Sequence, residues 1–425
     1  MRLILLSIQW GVFILAGSVV APIAIGNAFH LSLSEIAGFL QRSLFVIGIA
    51  SLLQVFFGHR LPIAEGPAGL WWGVFMIFAG AASAMNIKSQ VMLQSLQMGV
   101  FISGICFLLM SATKMIHTIK KIFTPLVTGT YLFLLIAQLS GPFVKGILGI
   151  GYFIPQIDGR VAVPALATLI VTAGLAKSSY PKLRSFSILY GIIFGWILFA
   201  VLGITKPINM TVNHWVEWPE ILVWGRPVFD ISVVITAIIT AVLLLSNLIA
   251  SIEVVQKFLG EQTPVDYNRA GLVMGINQIL ASLFCTMGFV PVSTSVGFIS
   301  TTKIKEKLPF IIGSSLVLGI SFFPPITLLV ASLPVPVGYA TTFLAFTHLI
   351  VLALKEYGTV LHDDNQLLII AVSLMVGIGS MFVPAEALRH LPGYLISLLN
   401  NGLILGVLTC ILLEQGLKIK ANRDL

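Results

Sequence analysis

Apolar runs of close to 20 residues follow one another from Ile4 to Leu413, separated by short polar or Pro/Gly-bearing breaks. A run of that length crosses a hydrocarbon core about 30 Å thick as a helix. In lipid the backbone must satisfy its own hydrogen bonds, so such runs are helical. The pattern predicts fourteen transmembrane segments, near 4–25, 37–57, 63–81, 91–112, 122–141, 161–176, 185–204, 229–256, 269–288, 291–302, 308–330, 335–354, 366–384 and 394–413. The third and tenth are short or interrupted. The first run is long for a signal-peptide core and is followed by thirteen of its kind, so it reads as the first segment rather than a leader. An even number of segments puts both termini on one side.

Composition agrees. Only 9% of the 425 residues are charged and 57% are hydrophobic, with a mean hydropathy of +1.03; a soluble domain carries about 25% charged residues. The net charge of +8 is a topology signal rather than a nucleic-acid surface. With the N-terminus inside, 17 of the 24 Lys and Arg fall on the cytoplasmic side, the bias expected of a bacterial-type inner-membrane protein with both termini in the cytoplasm. Cys106, Cys285 and Cys410 all lie within apolar runs and read as small buried side chains. The seven histidines are scattered, with no metal-ligand cluster and no nucleophile–base pair. The sequence therefore predicts no enzyme, no metal and no bound cofactor.

Two internal echoes organise the chain. Leu61-Pro-Ile-Ala-Glu-Gly-Pro-Ala-Gly69 parallels Val290-Pro-Val-Ser-Thr-Ser-Val-Gly297, and Phe123-Thr-Pro-Leu-Val-Thr-Gly129 parallels Leu333-Pro-Val-Pro-Val-Gly338. Each pair is offset by seven segments. Seven is odd, so the halves run through the membrane in opposite directions, as in inverted-repeat transporters. Pro62, Pro67 and Pro291 break helix, while Gly66, Gly69 and Gly297 tolerate unusual backbone angles. An extended stretch followed by a half-helix leaves backbone amides near the bilayer midplane, where they must pair with each other or line a polar cavity.

Ionisable residues inside the segments are the next signal. Glu253 lies in the eighth, within Ser246-Asn-Leu-Ile-Ala-Ser-Ile-Glu-Val-Val-Gln-Lys257. It reads as a solute-binding or proton-carrying carboxylate, or as the partner of Lys257 at i, i+4. Glu65 adjoins the Gly66-Pro67 break and is either a second coupling group or a cap on free amides. Asp230 opens the eighth segment as an N-cap. The loop from Lys206 to Pro227, with Trp215, Glu217, Trp218 and Glu220, reads as an amphipathic cap at the membrane interface.

At these residues the sequence resembles the nucleobase–ascorbate transporter family, also called nucleobase:cation symporter 2, which includes uracil and xanthine permeases. The resemblance covers nearly the whole chain. Gln9-Trp10 keeps the Gln of that family's first-segment Gln-His pair and loses the His. Glu253 matches its base-binding Glu in the eighth segment. Thr294-Ser-Val-Gly-Phe-Ile-Ser-Thr-Thr-Lys303 follows its tenth-segment signature: Gly297, Thr302 and Lys303 match, Ser295 stands for Asn, and Thr294 stands for an acid or Gln. A threonine still donates to and accepts from one edge of a base, but cannot release a proton at useful pH.

The resemblance implies an all-α membrane fold of seven plus seven inverted segments, with short strands opening segments three and ten. Residues 1–118 and 229–332 would form a core domain and 119–228 and 333–415 a gate domain, followed by a cytoplasmic tail at 416–425. Solute would sit among Gly69, Leu70, Glu253, Ser293 and Thr294, with Trp71 stacking on a ring and Ala16 and Gly17 allowing close approach. The implied activity is import of a purine or uracil by alternating access, driven by H+ or Na+, with a homodimer formed through the gate. An anion carrier of the same fold, for sulfate, bicarbonate or dicarboxylates, and a non-transporting membrane receptor are the other readings.

Overall fold

The computed structural model describes residues 2–84, 87–116, 124–180, 183–184, 186–206, 214–260, 265–358, 363–384 and 402–423, with single positions between 387 and 399. Among them the elements run α1 (Arg2–Ser18), α2 (Val20–Ala28), α3 (Leu33–Phe57), β1 (Glu65–Pro67), α4 (Gly69–Ala84) and α5 (Ser89–Ala112). Next come α6 (Pro125–Ile147), α7 (Gly159–Ala176), α8 (Ser187–Val201), α9 (Ile231–Leu259) and α10 (Tyr267–Leu283). The chain closes with β2 (Phe289–Pro291), α11 (Thr294–Thr302), α12 (Lys307–Ile320), α13 (Pro324–Ala331), α14 (Val335–Gly358), α15 (Asp364–Met381) and α16 (Gly402–Arg423). Phe123 of the second sequence echo and most of 394–401 lie outside the described residues.

Among the described residues seven helices, counting α1 and α2 as one stretch, are long and apolar enough to cross a membrane alone, or eight with α12 and α13 as one bent span. Four shorter apolar helices lie within α4, α8, α14 and α16. The chain is a multi-pass membrane protein.

Two predicted continuous segments are broken. The first divides at Val19 into α1 and α2. Pro22 supplies no amide to the carbonyl four residues back, at Ser18, so the ladder stops there. The eleventh bends by 89° between α12 and α13. Pro324 sits at the start of α13 after Phe323, whose φ of −112° and ψ of 88° are not helical, because a residue before proline is pushed out of the helical region.

Helix starts follow their sequence signals. Asp230 accepts from the amides of Ser232 and Val233 at 2.8 and 3.1 Å, the N-cap expected of it. Ser32 and Glu35 form a capping box on α3. In lipid, apolar burial does not drive helices together, so small residues that let backbones approach matter more. α5 crosses α10 at Gly104 and Gly275, α1 crosses α12 at Gly11 and Gly313, and α15 crosses α16 at Gly377 and Gly402.

The predicted interruptions of the third and tenth segments are the two strands. β1 and β2 pair antiparallel, Glu65 opposite Pro291, Gly66 opposite Val290 and Pro67 opposite Phe289. Three-residue strands cannot satisfy their own backbone, and the neighbouring helices complete the bonding. The Ser51 hydroxyl of α3 accepts from Glu65 N at 3.1 Å. Ser251 of α9 donates to Pro291 O at 2.8 Å, and Gln278 of α10 donates to Phe289 O at 2.9 Å. Ser295 of α11 accepts from Ala64 N at 3.1 Å. Extended backbone is therefore tolerated at depth because protein, not lipid, surrounds it. Gly66 is required by proximity: a Cβ there would fall 2.8 Å from Val292 Cγ1.

The loop before α9 lies over one end of the bundle. Trp215 and Trp218 are exposed, and Trp218 stands edge-on to Phe322 at 4.9 Å. Trp224 is buried, and its carbonyl accepts from Gln90 and Gln94 at 3.3 and 2.7 Å.

Candidate solute-binding cavity

A cavity of about 250 Å³ opens where the two strands meet the helix breaks. Drug-sized ligands occupy pockets of roughly 300–1,000 Å³, so this one suits a solute of one or two rings. Its walls come from both halves of the chain. Phe13 to Ala21 at the α1–α2 break form one side; Glu65, Gly66, Pro67, Gly69 and Trp72 form the floor. Asn247 of α9 and Val290 to Thr294 at the β2–α11 junction face them. Phe186, Ile188 and Leu189 at the start of α8, with Thr342 of α14, close it.

The chemistry is aromatic on the sides with few polar groups converging. Ser18 and Thr342 spend their hydroxyls on their own helices, donating to Ile14 O at 2.6 Å and Gly338 O at 2.8 Å. That leaves Asn247, Ser293 and Thr294 to meet a solute, since the carboxylate oxygens of Glu65 are enclosed by protein. α11 has no side-chain N-cap, and the first amides of any helix have no intrahelical acceptor. In α11 the amides of Ser295 and Val296 already donate to Val292 O and Ser293 O at 3.1 Å, so the backbone donors at the cavity edge are the first amides of the two helices, at Gly69 and Thr294. Asn247 Oδ1 lies 3.3 Å from the Ser251 hydroxyl that also holds Pro291, so one residue pair ties α9 to the strand and orients the amide. Glu65 is 1% exposed, and neither carboxylate oxygen has a hydrogen-bond partner among the described residues.

Of the residues singled out from sequence, the structure brings together Gly17, Glu65, Gly69, Ser293 and Thr294, with Ala16 beside Gly17. Others hold the frame. Ser295 is buried and ties α11 to the residue before β1. Thr302 donates back to Phe298 O at 2.8 Å. Leu70 is buried away from the cavity lining. Gln9 and Gly297 are outside that lining, and Trp10 packs against Phe13, Phe298 and Phe310.

Two placements are corrected. Trp71 is fully buried, edge-on to Phe75 at 6.2 Å, and the tryptophan on the cavity is Trp72. Glu253 is exposed and lies outside the cavity lining; its carboxylate accepts from the Tyr267 hydroxyl at 3.5 Å, and Lys257 is exposed one turn on. The reason is helix length. The midpoint of α9 is Leu245, and at 1.5 Å per residue Glu253 is about 12 Å beyond it. Asn247, two residues past the midpoint, takes the depth expected of Glu253. The sequence signal for it was a lone amide in the middle of an apolar run. Accordingly, Glu253→Gln, which changes no residue of the cavity lining, leaves solute uptake within about twofold of wild type, roughly 0.4 kcal/mol of barrier; initial-rate uptake in membrane vesicles measures this.

Comparisons with known proteins place the chain. The Xan_ur_permease model, described as a permease family, matches residues 1–386. YwdJ of Bacillus subtilis (strain 168), which carries a provisional purine-permease name, is 40% identical over 422 residues, 98% of this chain and 96% of that protein. The nucleobase transporter PlUacP of Paenibacillus larvae is 26% identical, over 97% of this chain and 94% of its own length. Among solved structures, the transmembrane domain of the cyanobacterial bicarbonate transporter BicA superposes with a TM-score of 0.62 at 15% identity, covering 97% of each chain. SLC26A9 gives 0.68 at 14% identity, covering 96% of this chain and 65% of that one. These two show the fold. With the family model spanning most of its length and a relative of 40% identity along nearly all of it, the chain belongs to the Xan_ur_permease family, the nucleobase–ascorbate transporter group that its motifs resemble.

Proposed function

We propose that the protein imports a small planar nucleobase, a purine such as xanthine, hypoxanthine or guanine, or uracil, across the bacterial inner membrane. The observation that carries this reading is the cavity: about 250 Å³, flanked by Phe13, Trp72 and Phe186, with the Asn247 amide and the Ser293 and Thr294 hydroxyls among its lining residues. Flat rings with alternating N–H and C=O edges fit aromatic walls and a few fixed polar groups. Among the described residues no Lys, Arg or His lines the cavity. An inorganic anion therefore finds no counter-charge there, although the fold neighbours are anion carriers. The named substrates of PlUacP and of the xanthine permease of B. subtilis support the same class.

In this reading residues 1–118 and 229–332 form the core, and 119–228 and 333–415 the gate. The cavity lies between them, since Phe186, Ile188, Leu189 and Thr342 belong to the gate and the other lining residues to the core. The core moves against the gate and opens the cavity to each side in turn. Both termini face the cytoplasm.

The experiment is uptake of labelled uracil, xanthine, hypoxanthine, guanine and adenine into vesicles, with sulfate and bicarbonate as competitors. One or more bases accumulate and neither anion competes. Asn247→Ala weakens uptake of the preferred base about tenfold, the loss of one solute hydrogen bond worth roughly 1.4 kcal/mol. Transport of none of the bases, or competition by the anions, rejects the reading.

A further inference from the structure

We infer that the outer end of the core carries a second ligand site, separate from the solute cavity, that binds a small amino-acid-like zwitterion, with its carboxylate on Arg42 and its ammonium among Glu35, Glu217 and Glu220. The inference does not depend on which solute the central cavity takes.

The site is a cavity of about 720 Å³. Its walls are side chains between Phe29 and Arg42 at the α2–α3 corner, Ser89 to Leu93 at the head of α5, the loop from His214 to Trp224, and Pro324 to Leu328 of α13. In the orientation proposed above these elements meet at the outer surface. None of the described lining residues lies on α6, α7, α8, α14, α15 or α16. The loop is tied to the core helices and their ends. Gln41 donates to Glu217 O at 3.1 Å, Glu217 N donates to Phe322 O at 3.0 Å, and Leu222 N donates to Leu283 O at 2.9 Å. The walls therefore travel together when the core moves against the gate, and a molecule held there is a ligand of the core rather than cargo.

Arg42 marks the floor. It is 5% exposed, its Nε is buried without a partner, and among the described residues no carboxylate stands at ion-pair distance from it. Glu220 acts on its charge through space without bonding it. A Cβ at Gly38, one turn nearer the head of α3, would fall 3.1 Å from Arg42 Nη1, so the guanidinium folds back along α3 toward the cavity mouth. The neighbouring Gln41 amide is already spent on the loop. A guanidinium keeps its charge at every physiological pH, and an enclosed charge without a partner is strongly destabilising. A planar carboxylate, which accepts two N–H groups of the fork at once, is the group that completes it.

The rim decides which carboxylate. Glu35, Glu217 and Glu220 are exposed around the same cavity, with His30 and His214 as its other titratable groups. Three carboxylates repel sulfate or phosphate and attract an ammonium. Among the described residues these acids and histidines do not converge as a metal-ligand set. A molecule bearing a carboxylate and an ammonium on adjacent atoms satisfies floor and rim together, and Phe29, Leu31, Leu93 and Leu328 offer its side chain an apolar wall.

The test is titration calorimetry on the purified full-length protein in lipid nanodiscs, with L-alanine, L-leucine, acetate and sulfate as probes. Both amino acids bind and displace one another, while acetate and sulfate bind at least ~10-fold more weakly. Arg42→Gln loses ~10-fold or more in amino-acid affinity, the scale of a lost hydrogen bond to a charged group. Because that variant could fail to fold, the exposed pair Glu217→Gln/Glu220→Gln is read beside it. There amino-acid binding weakens and acetate binding strengthens, a crossover that a merely structural role for the loop does not give. Labelled alanine does not accumulate in vesicles and does not compete with base uptake. Lack of amino-acid binding by wild type, acetate binding as tight as alanine, a double variant without the crossover, or competition between alanine and base each overturns the site. Base uptake is scored separately, so its absence rejects the solute reading and leaves this site standing.

Discussion

Gly17→Leu abolishes nucleobase uptake while leaving the folded protein intact. Gly17 lines the cavity, is exposed to it, and would have no heavy atom within 4 Å of an added Cβ. The Cβ of a leucine meets nothing, and the rest of its isobutyl group projects into the space a solute needs. Leucine is also the better helix former by about 0.8 kcal/mol, so α1 is not weakened. The expected loss of initial rate is at least ~100-fold, about 2.7 kcal/mol of barrier. Size-exclusion profile and thermal midpoint remain those of wild type. Gly174→Leu is the control: that glycine is exposed on α7 with equally open surroundings, and its replacement keeps full uptake. Normal transport by Gly17→Leu would remove this cavity from the solute path.

Gly288→Val acts on the frame rather than the path, and the expected result is loss of folded protein. A Cβ at Gly288 would fall on the Trp71 ring and on Gln278 Oε1. Neither can retreat. Trp71 is fully buried in the first turn of α4, and Gln278 is fully buried with its amide donating to Phe289 O. The Gly288 carbonyl in turn accepts from Ala68 N at 3.1 Å, the bond next to the strand ladder. Relieving the overlap parts the strands and leaves buried amides without acceptors. Overpacking and one lost buried hydrogen bond together amount to about 3 kcal/mol or more. Detergent-solubilised Gly288→Val therefore runs as aggregate, or its thermal midpoint falls well below wild type. A monodisperse peak with an unchanged midpoint contradicts this account of the strand pair.

These two glycines differ in how visible they are before folding. Gly288 sits in a Met-Gly-Phe-Val-Pro stretch whose break is legible, yet its collision with Trp71 is a contact across the bundle. Gly17 is an ordinary small residue in an apolar run, and only the packing of the other cavity walls around it shows that it lines the cavity. The cause of that break, Pro22, is in the sequence, but a proline can kink a membrane helix or end it, and neighbouring helices decide which. Glu253 and Asn247 show the same limit. Both are polar residues in one apolar run, and choosing between them requires knowing which turn of α9 meets the cavity. Trp71 and Trp72 are about 100° apart around α4 by helix geometry; the rotation of α4 against α2, α5, α6 and α9 puts one in the core and the other on the cavity.

The chain by itself determined that it lives in a bilayer, where many of its helices begin and end, and that proline–glycine interruptions fall at 62–69 and 288–297. Those properties are local: hydropathy, helix-breaking and capping act over a few residues and need no partner to be read. Which carboxyl, amide and hydroxyls share a cavity was decided only by tertiary structure. Glu65, Asn247 and Thr294 are far apart along the chain, and their meeting depends on the depth and rotation at which separate helices pack, a choice made by small-residue contacts between helices that composition cannot encode.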